Sequence, residues 1–152
     1  MVRVALISDI HGRLSDNARR CLEKCDYIVC AGDTESLSIL SEMEAMKPLT
    51  AVRGNCDWRP WAEDLPKDDI LKVEDVAIYV IHNIDHLSFE PDPQRIDVVV
   101  YGHTHRSRRY YRNDVLYVNP GSASEPRGGD RARMAVLEVS GKSLNLHTLY
   151  LD

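Results

Sequence analysis

The stretch "VRVALISDIHG", Val2 to Gly12, sets the architecture. From Val2 to Ser8 it is apolar on both faces, the pattern of a strand at the centre of a parallel sheet. It then breaks at Asp9, with His11 two residues on. Outward from it, the first half of the chain alternates short apolar runs with helical patterns. Residues Asp16 to Lys24 carry helix formers. "YIVCA" (Tyr27–Ala31) is the next strand. Ser36 to Met46 predicts a helix that must end before Pro48. "LTAVR" (Leu49–Arg53) is a third strand. Strand–helix–strand alternation predicts an α/β sheet.

The second half differs. "ILKV" and "VAIYVI" flank Glu74-Asp75, a tight hairpin. "DVVVY" (Asp97–Tyr101) is another buried strand. "SRRYYR" and "VLYV" flank the turn pair Asn113-Asp114, and "RMAVLEV" and "SLNLHTLYL" flank Ser140-Gly141-Lys142. About ten strands and few helices are too many strands for a simple doubly wound sheet. Two packed sheets with helices outside fit better.

At 152 residues the chain fits one domain, 1–152, long enough to bury a core. It is 43% hydrophobic and 28% charged, with a net charge of −5, which gives no reason to expect a nucleic-acid coat protein or a polybasic membrane binder. No apolar run nears the roughly 20 residues of a membrane span, and no secretory leader is visible, so a cytoplasmic location is expected. Cys21, Cys25, Cys30 and Cys56 do not form a disulfide framework. Cys21 and Cys25, four apart in a helical pattern, read as small core residues. Arg106, Arg108, Arg109 and Arg112 read as the solvated side of an edge hairpin, with the guiding of an anionic substrate as the second reading. His147 reads as structural.

The residues just past each buried strand carry the chemistry. After the first strand come Asp9 and His11, after the second Asp33, after the third Asn55. After "VAIYVI" comes His82, and after "DVVVY" come His103 and His105. Open α/β sheets bind ligands at the carboxyl ends of their strands. Any one of these residues has a bland explanation as a turn or cap residue. Five strand ends in a row do not. Imidazole with carboxylate suits borderline divalent metals such as Mn, Fe, Co, Ni or Zn. Seven groups are too many for one tetrahedral site and suit two metals sharing a carboxylate, an arrangement used for phosphate ester hydrolysis. The i, i+2 spacings Asp9/His11 and His103/His105 can aim each pair to one side. Gly12, Gly32, Gly54 and Gly102 beside them permit tight turns and close backbone approach.

The order D-x-H, G-D, G-N-x-D, strand-end His, G-H-x-H resembles the calcineurin-like metallophosphoesterase superfamily. The chain without a cap domain is most similar to its small bacterial and archaeal phosphodiesterase family. "NPGSASEPRGG" (Asn119–Gly129) resembles that family's N-P-G-S…P-R segment. The resemblance implies a four-layer α/β/β/α sandwich. It implies that Asp9, His11 and His105 hold a first metal, that Asp33 bridges, and that Asn55, His82 and His103 hold a second. His103 and His105 would then point at different metals. It further implies diester hydrolysis by a metal-bridging hydroxide, with Asn55, His82 and His103 helping to hold the phosphate, two divalent ions (Mn first) as cofactors, and a small phosphate ester as substrate.

Two positions depart from the family pattern. Asn83 follows His82 where glycine is usual, and Asp85 or His86 nearby is a candidate to line the substrate pocket. Cys56 follows Asn55 where larger phosphatases carry a histidine that protonates the leaving group. A thiol is a poor substitute acid, so esters with good leaving groups are expected. A phosphomonoesterase or nucleotide pyrophosphohydrolase is the alternative within the enzyme class. A protein-binding scaffold is the alternative outside it, since a retromer subunit resembles this family. A nuclease has little support. The hairpin Ser107–Val118 could pair between copies in a homo-oligomer.

Overall fold

The computed structural model describes all 152 residues. The central stretch forms β1 (Val2–Ile7), followed by α1 (Asp16–Glu23), β2 (Tyr27–Cys30), α2 (Leu37–Met46) and β3 (Leu49–Ala51). The second half supplies β4 (Asp68–Val73), β5 (Val76–Ile81), β6 (Val98–Val100), β7 (Arg108–Arg112), β8 (Val115–Asn119), β9 (Arg133–Ser140) and β10 (Ser143–Tyr150). Each helix starts where a serine can cap it. Ser15 Oγ accepts from Ala18 N–H at 3.1 Å and Ser36 Oγ from Ile39 N–H at 3.2 Å. Pro48 follows the end of α2, as its lack of an N–H requires. No helix is long and apolar enough to cross a membrane.

The strands form two five-stranded mixed sheets. The first runs β10-β9-β1-β2-β3, with β1, β2 and β3 parallel; the second runs β4-β5-β6-β8-β7, with β5, β6 and β8 parallel. The two pack face to face. Val4, Leu6 and Val29 from one meet Ile78, Val80, Val98 and Val100 from the other. Because these central strands are covered on both sides, they are apolar on both faces, which is why "VRVALIS" carries no alternation.

Both α-helices cover the outer face of the first sheet, with Ala18, Leu22, Ile39, Leu40 and Met43 packed on Ala5, Ile7, Ile28 and Met134. The outer face of the second sheet is covered by the 82–97 segment. Ile84, Leu87 and Ile96 sit there on Tyr79, Val99, Tyr101 and Tyr117, around a single 3₁₀ turn at Ile84–His86. The architecture is thus the expected α/β sandwich, with its outermost layer on that side built from a loop.

Cys25 lies two residues past the end of α1, so the helical spacing to Cys21 does not hold, but Cys25 is buried and all four cysteines are free. Arg106 precedes edge strand β7, whose Arg109 bonds the Leu146 carbonyl at 3.3 Å and whose Arg112 pairs with Glu90 at 3.3 Å. His147, on β10, pairs with Glu138 at 2.6 Å.

Candidate metal centre

The parallel strands of both sheets end on one rim. Past its strand each chain segment continues the ladder for a few residues: Asp9 N–H donates to the Gly32 carbonyl at 3.0 Å and His11 N–H to the Asp33 carbonyl at 2.9 Å. Gly102 N–H donates to the His82 carbonyl at 2.9 Å, and Ala123 N–H reaches the Ser8 carbonyl at 3.1 Å. The rim is therefore laced by backbone hydrogen bonds, and all seven predicted residues stand on it.

They are aimed by backbone twist rather than by strand periodicity. Asp9, His11, Asp33, His103 and His105 all have positive φ, between 46° and 75°. That left-handed region is disfavoured for side-chain-bearing residues, and such strain concentrates at functional sites. Both i, i+2 pairs lie beyond β1 and β6, so the spacing argument from strand geometry is replaced by these turns. Close approach is enforced by glycine. A Cβ on Gly102 would collide with Ser8 Oγ and Asp9 Oδ2, and one on Gly54 with the Asp33 carboxylate.

The predicted groups fall into two sets that meet at Asp33. In the first, ligand atoms of Asp9, His11, Asp33 and His105 all lie within 4.8 Å of one another. In the second, His82 Nε2 lies 3.3 Å from Asp33 Oδ2 and 2.9 Å from Asn55 Oδ1, and His103 Nδ1 lies 3.0 Å from the same Asn55 oxygen. His103 and His105 thus face different sets. Asn83 does not displace His82; its side chain accepts from Asp85 N–H at 3.0 Å and opens the 3₁₀ turn.

The chemistry of this donor set fits cations. Asp9 is 0% exposed, Asp33 and His105 2%, and His82 4%. His82 Nδ1 donates to the Ala31 carbonyl at 2.7 Å and His105 Nδ1 to the Glu125 carbonyl at 2.6 Å; His11 Nδ1 donates to Glu35 at 2.6 Å. Carbonyls only accept, so the rings carry their protons on Nδ1 and turn lone pairs on Nε2 inward. Two of those inward nitrogens, on His11 and His105, lie 2.9 Å apart. Asp9 Oδ1 is buried with no hydrogen-bond partner, 3.4 Å from His105 Nε2 and 3.9 Å from His11 Nε2. Converging lone pairs and an orphaned carboxylate oxygen call for positive charge between them.

The electrostatics agree. Burial pushes the Asp9 carboxyl up, against the lowering influence of His82. Burial also pushes Asp33 up, but His82, the Cys56 N–H and His11 outweigh it and hold it below the usual carboxylate range. Burial lowers the His82 imidazole, yet Asp33 and Asp9 outweigh that and raise it, so this corner favours a cation. Burial, with Asp33 and Glu35 nearby, pushes the Cys56 thiol up to about 11.

Four supporting residues were given no role from the sequence. Asp57, 1% exposed, accepts from the backbone N–H groups of Asp33, Gly54 and Glu35, each at 2.9 Å, tying the loops after β2 and β3 together. The D in G-N-x-D was its signal. Glu35 orients His11. Ser122 and Ser124 donate to the carbonyls of Asp9 and Ile10 at 2.7 Å each, which gives the N-P-G-S segment its task. Two cavities flank the centre and share Asn83. One, of about 710 Å³, is lined by Asn55, His82 and His86; the other, of about 650 Å³, by His103 and Asp85.

A sandwich of two mixed sheets with carboxylates and imidazoles gathered on its rim is the form of a metal-dependent phosphoesterase. Residues 2–142 match the family model "Calcineurin-like phosphoesterase superfamily domain", and the chain belongs to that superfamily. It is 30% identical to a "Probable metallophosphoesterase" of Methanothermobacter thermautotrophicus, over 93% of this chain and 88% of that protein. It is 27% identical to "Phosphodiesterase YfcE" of Escherichia coli, over 91% and 88% of the two chains. Among solved structures, Vps29 of Chaetomium thermophilum superposes with a TM-score of 0.78 at 19% identity, over 99% of this chain and 95% of that one, a likeness of fold.

Proposed function

We propose that the chain, acting as one domain, is a phosphodiesterase for small phosphate diesters that uses two divalent transition-metal ions, Mn²⁺ first among them. The observation that carries the reading is the convergence of the His11 and His105 Nε2 lone pairs, 2.9 Å apart, on the orphaned Asp9 Oδ1. Asp9, His11 and His105 would hold one ion, Asn55, His82 and His103 the other, with Asp33 shared. Bound there, the ions supply Lewis acidity to the phosphoryl oxygens and lower the pKa of water. The chain's own residues do the rest. The exposed Asn55 carboxamide and the half-buried His103 ring face the cleft and orient the phosphoryl group. Glu35, Ala31 and Glu125 hold three imidazoles in one tautomer, so that no reorganisation is needed when substrate arrives. A diester needs room for two ester groups. The cavities on either side of the centre offer it, and the name of the E. coli relative points the same way.

The test is hydrolysis of bis(p-nitrophenyl) phosphate with and without Mn²⁺, beside an Asp33→Ala variant. Mn²⁺-dependent turnover that the variant lacks is the expected result. Absence of turnover with every divalent metal tried would favour a monoesterase, or the scaffold that the fold likeness to Vps29 suggests. A scaffold can lose such donors, and this chain keeps all seven, which argues for the enzyme.

A further inference from the structure

The cavity beside His103 has three arginines in its lining, Arg106, Arg108 and Arg127, and one acidic residue, Asp85. None of the three arginines has a carboxylate within ion-pairing distance, although the chain as a whole carries a net charge of −5. Two nearby acids are engaged elsewhere. Asp130 accepts from Ser107 N–H at 2.7 Å and pairs with Arg133, and Glu90 pairs with Arg112. The guanidiniums of Arg106 and Arg108 are nevertheless braced. Arg106 lies against Gly128, where a Cβ would come within 2.6 Å of Nε and 2.9 Å of Cζ. Arg108 lies 4.6 Å over the Tyr110 ring, which is itself stacked on Tyr117 at 5.0 Å. Arg127 is tied by its backbone N–H to the His105 carbonyl at 3.2 Å.

Three like charges around a single carboxylate, with no ion pair among them, repel one another, and bracing two of them adds to the cost. A pre-positioned cluster of forked donors is, however, what a phosphate dianion requires. We propose that this cavity is an anion subsite for a second phosphate group of the substrate. Resting on the phosphodiesterase reading, this narrows the substrate class to small diesters of which one arm is itself phosphorylated. Arg106 and Arg108, which the sequence placed on the solvated side of a hairpin, then serve recognition, while Arg109 and Arg112 do not.

The test compares two substrates on the Mn²⁺-loaded protein: thymidine 5′-(p-nitrophenyl phosphate), and the same ester with a 3′-phosphate. The wild type should prefer the phosphorylated ester in kcat/KM by at least about tenfold, through KM. In an Arg106→Gln/Arg127→Gln variant that ratio should fall close to one. Equal use of both esters by the wild type, or an undiminished ratio in the variant, overturns the subsite. A second arm is independent of turnover. Calorimetry of inorganic pyrophosphate binding to Asp33→Asn protein should show affinity at least about tenfold weaker when both arginines are also replaced. If the wild type hydrolyses neither ester, the diesterase reading fails. The pyrophosphate arm then decides the subsite alone: arginine-dependent binding supports it, and arginine-independent binding or none overturns it.

Discussion

Glu35 and Gly102 stand beside the candidate metal centre, and each yields a sharp expectation. Glu35 fixes the His11 tautomer through a 2.6 Å contact. Glu35→Ala should weaken Mn²⁺ affinity by about 10- to 100-fold, with Glu35→Gln intermediate, as read by competition with a chelator. Affinity unchanged in both would remove Glu35 from the site. At Gly102 any side chain must enter the space of Ser8 and Asp9. Mn²⁺ should raise the Tm of the wild type, and Gly102→Ala should abolish that rise; a normal rise in the variant would show that the loops can yield. Cys56 puts a thiol where an imidazole would have a pKa near working pH. Rates should therefore fall steeply as leaving-group pKa rises, and Cys56→His should flatten that dependence. A flat dependence in the wild type would point to another proton donor.

The elements divide into those written in local pattern and those that are not. β1, β2, β5 and β6 were legible because a strand buried on both faces leaves an uninterrupted apolar run, and the hairpin turns because Glu74, Asn113 and Asp114 tolerate positive φ. Six of the seven rim residues were legible because each follows such a run, and Asn55 because it follows the third strand of the alternation. Invisible were the groups whose partners lie far along the chain: Asp57 across to Asp33, Glu35 back to His11, Ser122 across 113 residues to Asp9. Hydrogen bonds of that reach leave no periodicity. The coverage of the second sheet by a loop was hidden for the same reason, since Ile84, Leu87 and Ile96 are too sparse to mark an element.

The 120–131 loop carries a pH expectation of its own. Burial pushes the Asp130 carboxyl up, but the N–H groups of Ser107 and Arg131 and the Arg133 guanidinium outweigh it and hold it below its ordinary value. A depressed carboxylate pKa stabilises the fold above its unfolded value, near 3.9, and that contribution is lost as pH falls through the folded value. Asp130→Asn should therefore cost roughly 1 kcal/mol at pH 7, and the gap to wild type should begin to narrow once the pH falls below about 4. Urea unfolding at pH 7, 5 and 3 checks it; a gap as wide at pH 3 as at pH 7 contradicts it.

For the whole molecule, the two-sheet core sets the stability and the rim sets the function. Leu137, fully buried between the sheets, should cost about 2–5 kcal/mol when replaced by Ala. The surviving folded fraction should keep its Mn²⁺ affinity, because the rim hangs on backbone bonds that this change leaves in place. The proposed function rests on one rim able to hold two ions that share Asp33. Anomalous scattering from crystals grown with Mn²⁺ would reveal those ions without any assumption about substrate. Two peaks about 3.5–4 Å apart are expected, one beside Asp9, His11 and His105, the other beside Asn55, His82 and His103, with Asp33 between them. A single peak confined to one set, or none, would refute the shared two-ion centre.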